Sequence, residues 1–186
     1  MAIIKYKIEF FSNWHCSSGL AAGADVDTLV IKDDNNLPFI PGRTIKGLLR
    51  DAMRELIGYN DLTPEKINEL FGYNNDKDSY YKKGCVSFTN ATLDKSEINT
   101  IVKNNLSSFL YKSFTSTAID ENGIAKDGSL RSIETVAPCV LHAILYGVPE
   151  KSETYFENAF KYIKRLGLGR NRGYGRCKIS IDKDIL

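Results

Sequence analysis

Residues 153–182 read E-T-Y-F-E-N-A-F-K-Y-I-K-R-L-G-L-G-R-N-R-G-Y-G-R-C-K-I-S-I-D. Tyr155, Phe156, Ala159, Phe160, Ile163 and Leu166 fall at helical spacing, which predicts an amphipathic helix over 153–166. Gly167 stands where a helix C-cap would, and residues 176–182 read as a terminal strand. Between the two lies a loop in which Gly167, Gly169, Gly173 and Gly175 alternate with Arg170, Arg172 and Arg176 around Tyr174. A dinucleotide-binding loop is excluded on two grounds. The glycine spacing is one residue too long, and such a loop follows a strand and opens a helix, the reverse of the order here.

Working back along the chain, residues 2–12 alternate as a first strand, with Ile4, Tyr6, Ile8 and Phe10 on one face. A long loop runs to Pro41. Residues 44–58 carry Ile45, Leu48, Leu49, Ala52, Met53 and Leu56 as the stripe of a helix. Thr63-Pro64-Glu65 has the chemistry of an N-cap followed by proline in the first turn, and starts a short helix ending near Phe71-Gly72. Residues 74–83 read as a polar loop and 84–92 as a second strand. Residues 97–114 are compatible with a short helix and then a strand. Residues 115–137 form a polar insertion around the turn Asp120-Glu121-Asn122-Gly123, and 138–147 a third strand. The sum is an α+β chain on the ferredoxin-like β-α-β-β-α-β plan shared with RNA-recognition domains. It forms a single domain over 1–186, with loops inserted after the first strand and between the second and third.

The glycine–arginine loop suits a polyanionic strand. Glycine permits close backbone approach, arginine offers a fork of donors fitted to phosphate, and Tyr174 offers a ring for a base. From Asn158 to Ile181 no residue is acidic, while Lys161, Lys164, Arg165, Arg170, Arg172, Arg176 and Lys178 are cationic. The whole chain has a net charge of only +2, so the positive charge is placed rather than general. With 186 residues, 42% of them hydrophobic, the chain has material for one core. Cys16, Cys85, Cys139 and Cys177 form no C-x-x-C pair, and His15 and His142 are the two histidines. Neither a structural zinc nor a disulfide framework is expected. No signal peptide or membrane span is read, and the expected compartment is the cytoplasm.

Five segments in series resemble the motifs of one family. Ile40 to Arg50 (I-P-G-R-T-I-K-G-L-L-R) is similar to the I-P-G-S-S-[IL]-K-G-x-[LIM]-R signature of the RAMP superfamily of CRISPR effector complexes. His15 to Asp33 (H-C-S-S-G-L-A-A-G-A-D-V-D-T-L-V-I-K-D) resembles its first long loop. Glu69 to Gly72 with Gly84 to Asn90 resembles its L-F-G … G-x-[VL]-x-F-x-[DN] step. Thr117 to Asp120 with Gly128 to Pro138 resembles its hairpin, and the glycine–arginine loop its G-x-x-R-G-Y-G-[RK] ending. Arg43-Thr44 departs from the common Ser-Ser, and the chain is shorter than most relatives.

The similarity is greatest to backbone subunits of type III (Csm/Cmr-type) complexes. It implies copies stacked along a guide CRISPR RNA beside other RAMP subunits and the large signalling subunit. Residues 115–137 would be a thumb wedged into the guide–target duplex, and single-stranded target RNA would be cut with divalent metal, Mg2+. In the cutting relatives an aspartate precedes the V-I-[KR]-D end of the first loop. Asp27 occupies that place, ahead of Asp25, as base toward the 2′-hydroxyl or as a metal ligand. Implied RNA contacts are Arg43, Lys46, Arg50, Arg131, Arg170, Arg172, Tyr174, Arg176 and His15. His15 is also readable as structural, Glu134 as a contact to a neighbouring subunit, and the Arg43–Lys46–Arg50 ridge as a merely solvated helix face. The alternatives are a non-cleaving RAMP subunit that binds or caps the guide, a guide-processing ribonuclease, and a plain RNA-recognition domain. The processing enzymes usually carry two ferredoxin-like units, more than this length allows, and the stacking pattern of RNA-recognition domains is absent.

Overall fold

The computed structural model describes residues 1–20, 26–75 and 80–182. Strand β1 (Ala2–Phe10) is central. It pairs antiparallel with β7 (Val140–Val148) on one side and β8 (Cys177–Ile181) on the other, and β4 (Ser87–Phe88) adds to the far edge of β7. The order β4-β7-β1-β8, with helices α1 (Gly42–Glu55) and α4 (Glu153–Tyr162) packed on each other and α4 against β8, is the ferredoxin-like arrangement. Helix α2 (Pro64–Phe71) begins at Thr63, whose hydroxyl accepts from the Lys66 N–H.

The alternation of β1 sets the core. Ile4, Tyr6, Ile8 and Phe10 are buried, and so are Ile45, Leu49, Ala52 and Met53 of α1 and Tyr155, Phe156, Ala159 and Phe160 of α4. Tyr6 stacks on Phe160 at 4.9 Å and Phe71 meets Phe156 at 6.1 Å. Burying each such side chain stabilises the fold by about 1.5–3 kcal/mol.

Several expectations need correction. Residues 74–83 are not all loop: β2 (Gly72–Asn75) pairs with β3 (Tyr80–Lys83) in a hairpin. The second core strand, expected over 84–92, is only two residues long. Thr89 N–H still donates to the Ile144 carbonyl, but its Oγ1 takes the Ile144 N–H in place of a backbone acceptor. Asn90 Oδ1 turns away to cap the Gly42 N–H at the start of α1, Ala91 pairs with Ile40, and Thr92 with His142. The short helix and strand read over 97–114 are present: helix α3 (Lys95–Lys103) starts two residues earlier, opened by the reciprocal cap of Asp94 and Glu97. Strand β5 (Tyr111–Ser116) then pairs with β6 (Arg131–Val136). The insertion read over 115–137 thus holds the end of β5, the tip and all of β6, in a hairpin whose arms begin at Tyr111 and Val136.

The last helix ends at Tyr162, not at Leu166. Ile163 is extended (φ −75°, ψ 114°), and the chain pairs back on itself: Leu166 N–H donates to the Gly175 carbonyl and Cys177 N–H to that of Lys164. Gly167 is therefore no helix cap. It and Gly175 are demanded by backbone contact, because a Cβ on Gly167 would lie 2.1 Å from the His15 carbonyl oxygen and one on Gly175 1.8 Å from that of Leu166.

Gly175→Ala should accordingly destabilise the protein by about 3 kcal/mol or more, through steric overlap added to left-handed strain. Gly173→Ala, with φ +91° but open space around it, should cost only about 1–2 kcal/mol. Urea midpoints of the two variants check the difference; equal losses would show that the close approach is unimportant.

Candidate nucleic-acid interface

Beyond Phe10 the chain leaves the sheet and builds a second layer around β6. Trp14 and Val136 exchange both backbone hydrogen bonds, at 3.0 and 2.8 Å. Residues 16–20 then run beside 29–31, with Ser18 N–H donating to Leu29 O and Ile31 N–H to Cys16 O. Residues 27–32 in turn lie along β6. Asp27 N–H donates to the Ser132 carbonyl at 2.9 Å, and Asp27 Oδ2 accepts the Ser132 N–H at 2.6 Å. Glu134 N–H donates to Thr28 O at 3.1 Å.

The next rung of a parallel ladder would run from Val30 N–H to the Glu134 carbonyl. That carbonyl is taken by His15, whose Nδ1 lies 2.6 Å away. A carbonyl only accepts, so His15 carries its proton on Nδ1. The Glu134 carboxylate supplies the missing acceptor: Oε2 takes the Val30 N–H at 3.0 Å and Oε1 pairs with Lys32 Nζ at 2.8 Å. Lys32 Nζ also sits 3.9 Å above the Tyr111 ring, and Tyr111 hydroxyl donates to Asn36 O. Burial, with the Glu134 carboxylate beside it, raises the Tyr111 pKa and keeps the phenol protonated.

The glycine–arginine loop docks on the same layer. Leu168 N–H donates to the His15 carbonyl, Gly175 N–H to Asn13 O, and Phe11 N–H to Arg176 O. Arg170–Arg172 form one tight 3-10 turn between Gly169 (φ +71°) and Gly173 (φ +91°), which leaves Arg170 and Arg172 exposed. Arg176 is exposed beside the Phe11 ring. Tyr174 is half-buried. Its ring lies against Gly169 and edge-on to Phe114 of β5, 5.8 Å between centroids, so much of the surface expected to stack a base is spent joining the loop to the hairpin.

The expected residues thus fall into two groups. Asp27 and Arg131 lie toward the outer end of the paired arms of the β5–β6 hairpin, and Tyr174 of the glycine–arginine loop meets Phe114 of the same hairpin. Arg43, Lys46 and Arg50 lie on α1; Arg43 shares with Ile31 of the Asp27 segment a depression of about 350 Å³ whose other walls are Phe39, Pro41, Phe88 and Asn90. None of these cations forms an ion pair with a carboxylate among the described residues. Asp25 lies outside the described residues.

Two roles change. His15 is fully buried and exposes no edge to a strand of RNA, so its work is to lock Glu134. Glu134 faces its own chain instead of a neighbour. Phe114, Lys32 and Tyr111 were missed, because their partners lie scores of residues away and no local pattern marks them. Asp27 is exposed, and among the described residues its second oxygen has no donor. Among the described residues no group of three His, Cys, Asp or Glu side chains could surround a metal ion. A magnesium ion there would keep most of its waters or take oxygens from a ligand.

A ferredoxin-like sheet carrying a closing glycine–arginine loop, an aspartate segment and a protruding hairpin defines one class of protein. The chain belongs to the RAMP superfamily, whose family model matches residues 7–178. It is 27% identical over 206 aligned residues to the CRISPR system Cms endoribonuclease Csm3 of Streptococcus thermophilus, covering 95% of this chain and 88% of that protein. Its fold is similar to a chain of the Type III-B Cmr-beta complex bound to cognate target RNA (TM-score 0.77, 12% identity, 100% and 99% of the two chains). It is also similar to one from the apo state of that complex (TM-score 0.69, 14% identity, 99% and 98%). Among the described residues no helix is long and apolar enough to cross a membrane.

Glu134→Ala should destabilise the protein by about 2–3 kcal/mol, since it strands the Val30 N–H and a partly buried Lys32. Glu134→Gln, which keeps an acceptor, should lose less. Urea unfolding together with hydrogen exchange at the Val30 amide measures both; unchanged exchange in the alanine variant would show the carboxylate to be dispensable there.

Proposed function

We propose that this chain is a backbone subunit of a type III CRISPR effector complex that holds guide RNA and cuts complementary target RNA at Asp27. The observation that carries the reading is the position of that aspartate. It is an exposed carboxylate held by one oxygen to Ser132, near the outer end of the paired arms of a protruding hairpin, next to Arg131. The arginines of the loop that meets this hairpin at Phe114 have no ion pair among the described residues. The relative named an endoribonuclease aligns over nearly the whole chain, which supports the same reading.

RNA brings its own nucleophile, the 2′-hydroxyl. A hairpin that splays one nucleotide can set that hydroxyl in line with the scissile phosphorus, and such alignment contributes several kcal/mol. Asp27 Oδ1 has no donor among the described residues, and in this reading it accepts the 2′-hydroxyl proton or holds a hydrated divalent ion. Such an ion, shared with RNA oxygens, would offset charge on the phosphoryl oxygens. Arginines flanking the site stabilise the same charge and retain the guide. Further copies of the chain, other RAMP subunits and the large signalling subunit would complete the assembly.

In the assembled, guide-loaded complex with magnesium, labelled target RNA should give regularly spaced products. Asp27→Ala should abolish them with target binding retained. Tight binding without cuts by the wild type would make this a non-cleaving guide-holding subunit. Replacing Arg170 and Arg172 together with alanine should weaken guide binding and lower the salt slope by about 1.4, two phosphate contacts on a single strand. An unchanged slope would remove the loop from the interface.

A further inference from the structure

Gly47 lies inside α1, where glycine is less favourable than alanine, and nothing in the chain requires it. The other described glycines each have a reason. Gly42, Gly72, Gly84, Gly147, Gly167 and Gly175 press against backbone that a Cβ would strike, and Gly19, Gly58, Gly123, Gly128, Gly169 and Gly173 have positive φ. Gly47 has neither: its φ is not positive, and a Cβ there would meet nothing within 4 Å.

Its neighbours on the helix are cations. Arg43 is four residues before it, Lys46 adjacent and Arg50 three after, so at 3.6 residues per turn the four share an arc of about 100°. None of the three cations pairs with a described carboxylate, and Arg50 Nε is buried with no hydrogen-bond partner. No aromatic residue lies on that arc to stack a base; the α1 sequence has none. At its N-terminal end the ridge opens on the depression lined by Arg43.

We propose that Gly47 is a seat for the sugar–phosphate backbone of an RNA strand, its missing side chain letting a phosphate settle among Arg43, Lys46 and Arg50. The inference rests on the RNA-binding reading above and adds to it a steric element: the helix gives up propensity to leave this space open. Arginine forks meet phosphate oxygens bidentately only at short range, so a methyl group at the centre of the ridge works against all three contacts together.

The test compares wild type, Gly47→Ala and Gly47→Leu in two measurements: thermal unfolding of the protein, and equilibrium binding of a labelled, unstructured single-stranded RNA over a range of salt. Gly47→Ala should raise Tm by about 2–4 °C, the gain in helix propensity for a chain of this size. It should also weaken RNA binding about fivefold or more. Gly47→Leu should weaken it further, and the salt slope should fall as the phosphate contacts on the ridge are lost. RNA binding by Gly47→Ala equal to wild type, with wild-type binding intact, overturns the proposal and leaves the RNA-binding reading standing. Wild-type protein that binds no RNA at any salt removes both.

Discussion

The second layer depends on one residue using every polar group it has. Glu134 gives its N–H to Thr28, its carbonyl to His15, one carboxylate oxygen to Val30 and the other to Lys32. A regular parallel ladder would have used the carbonyl for Val30. Diverting it to a buried histidine frees β6 to be gripped from two directions, by the segment after β1 and by the aspartate segment. A carboxylate with 12% of its side chain exposed is costly to leave unpaired, so the lysine, the backbone donor and the histidine form a set.

That network bears on how much could be read in the sequence. The ferredoxin-like frame was legible because its signals are local: alternation in β1, the α1 and α4 stripes, the Thr63-Pro64 cap. The second core strand was misjudged because Thr89 and Asn90 look like ordinary strand and turn residues, yet the Thr89 hydroxyl takes a ladder position and the Asn90 side chain caps α1 at Gly42. The β2–β3 hairpin hid in polar residues with no apolar alternation to betray it. In the site, the unpaired arginines could be foreseen from the run without acids. The burial of His15 and the inward turn of Glu134 could not, since both rest on a contact across 119 residues.

The glycine–arginine loop shows how one composition serves two physical ends. Gly167 and Gly175 are there because backbones nearly touch, Gly169 and Gly173 because the chain turns through positive φ. Their joint effect is to present Arg170 and Arg172 on a tight turn anchored at Asn13 and His15. The charge is thus held on a rigid support, which lowers the ordering cost when an anion binds.

The shortness of β4 has a consequence of its own. A sheet normally exposes unpaired N–H and C=O groups along its outermost strands, and these recruit strands from other molecules. Here one margin strand is two residues long, ended where the Thr89 hydroxyl takes the place of a backbone acceptor. At the other, the start of β8 is already covered by Lys164 to Leu166. These truncated margins leave little template on which the four-stranded sheet could grow a cross-β aggregate.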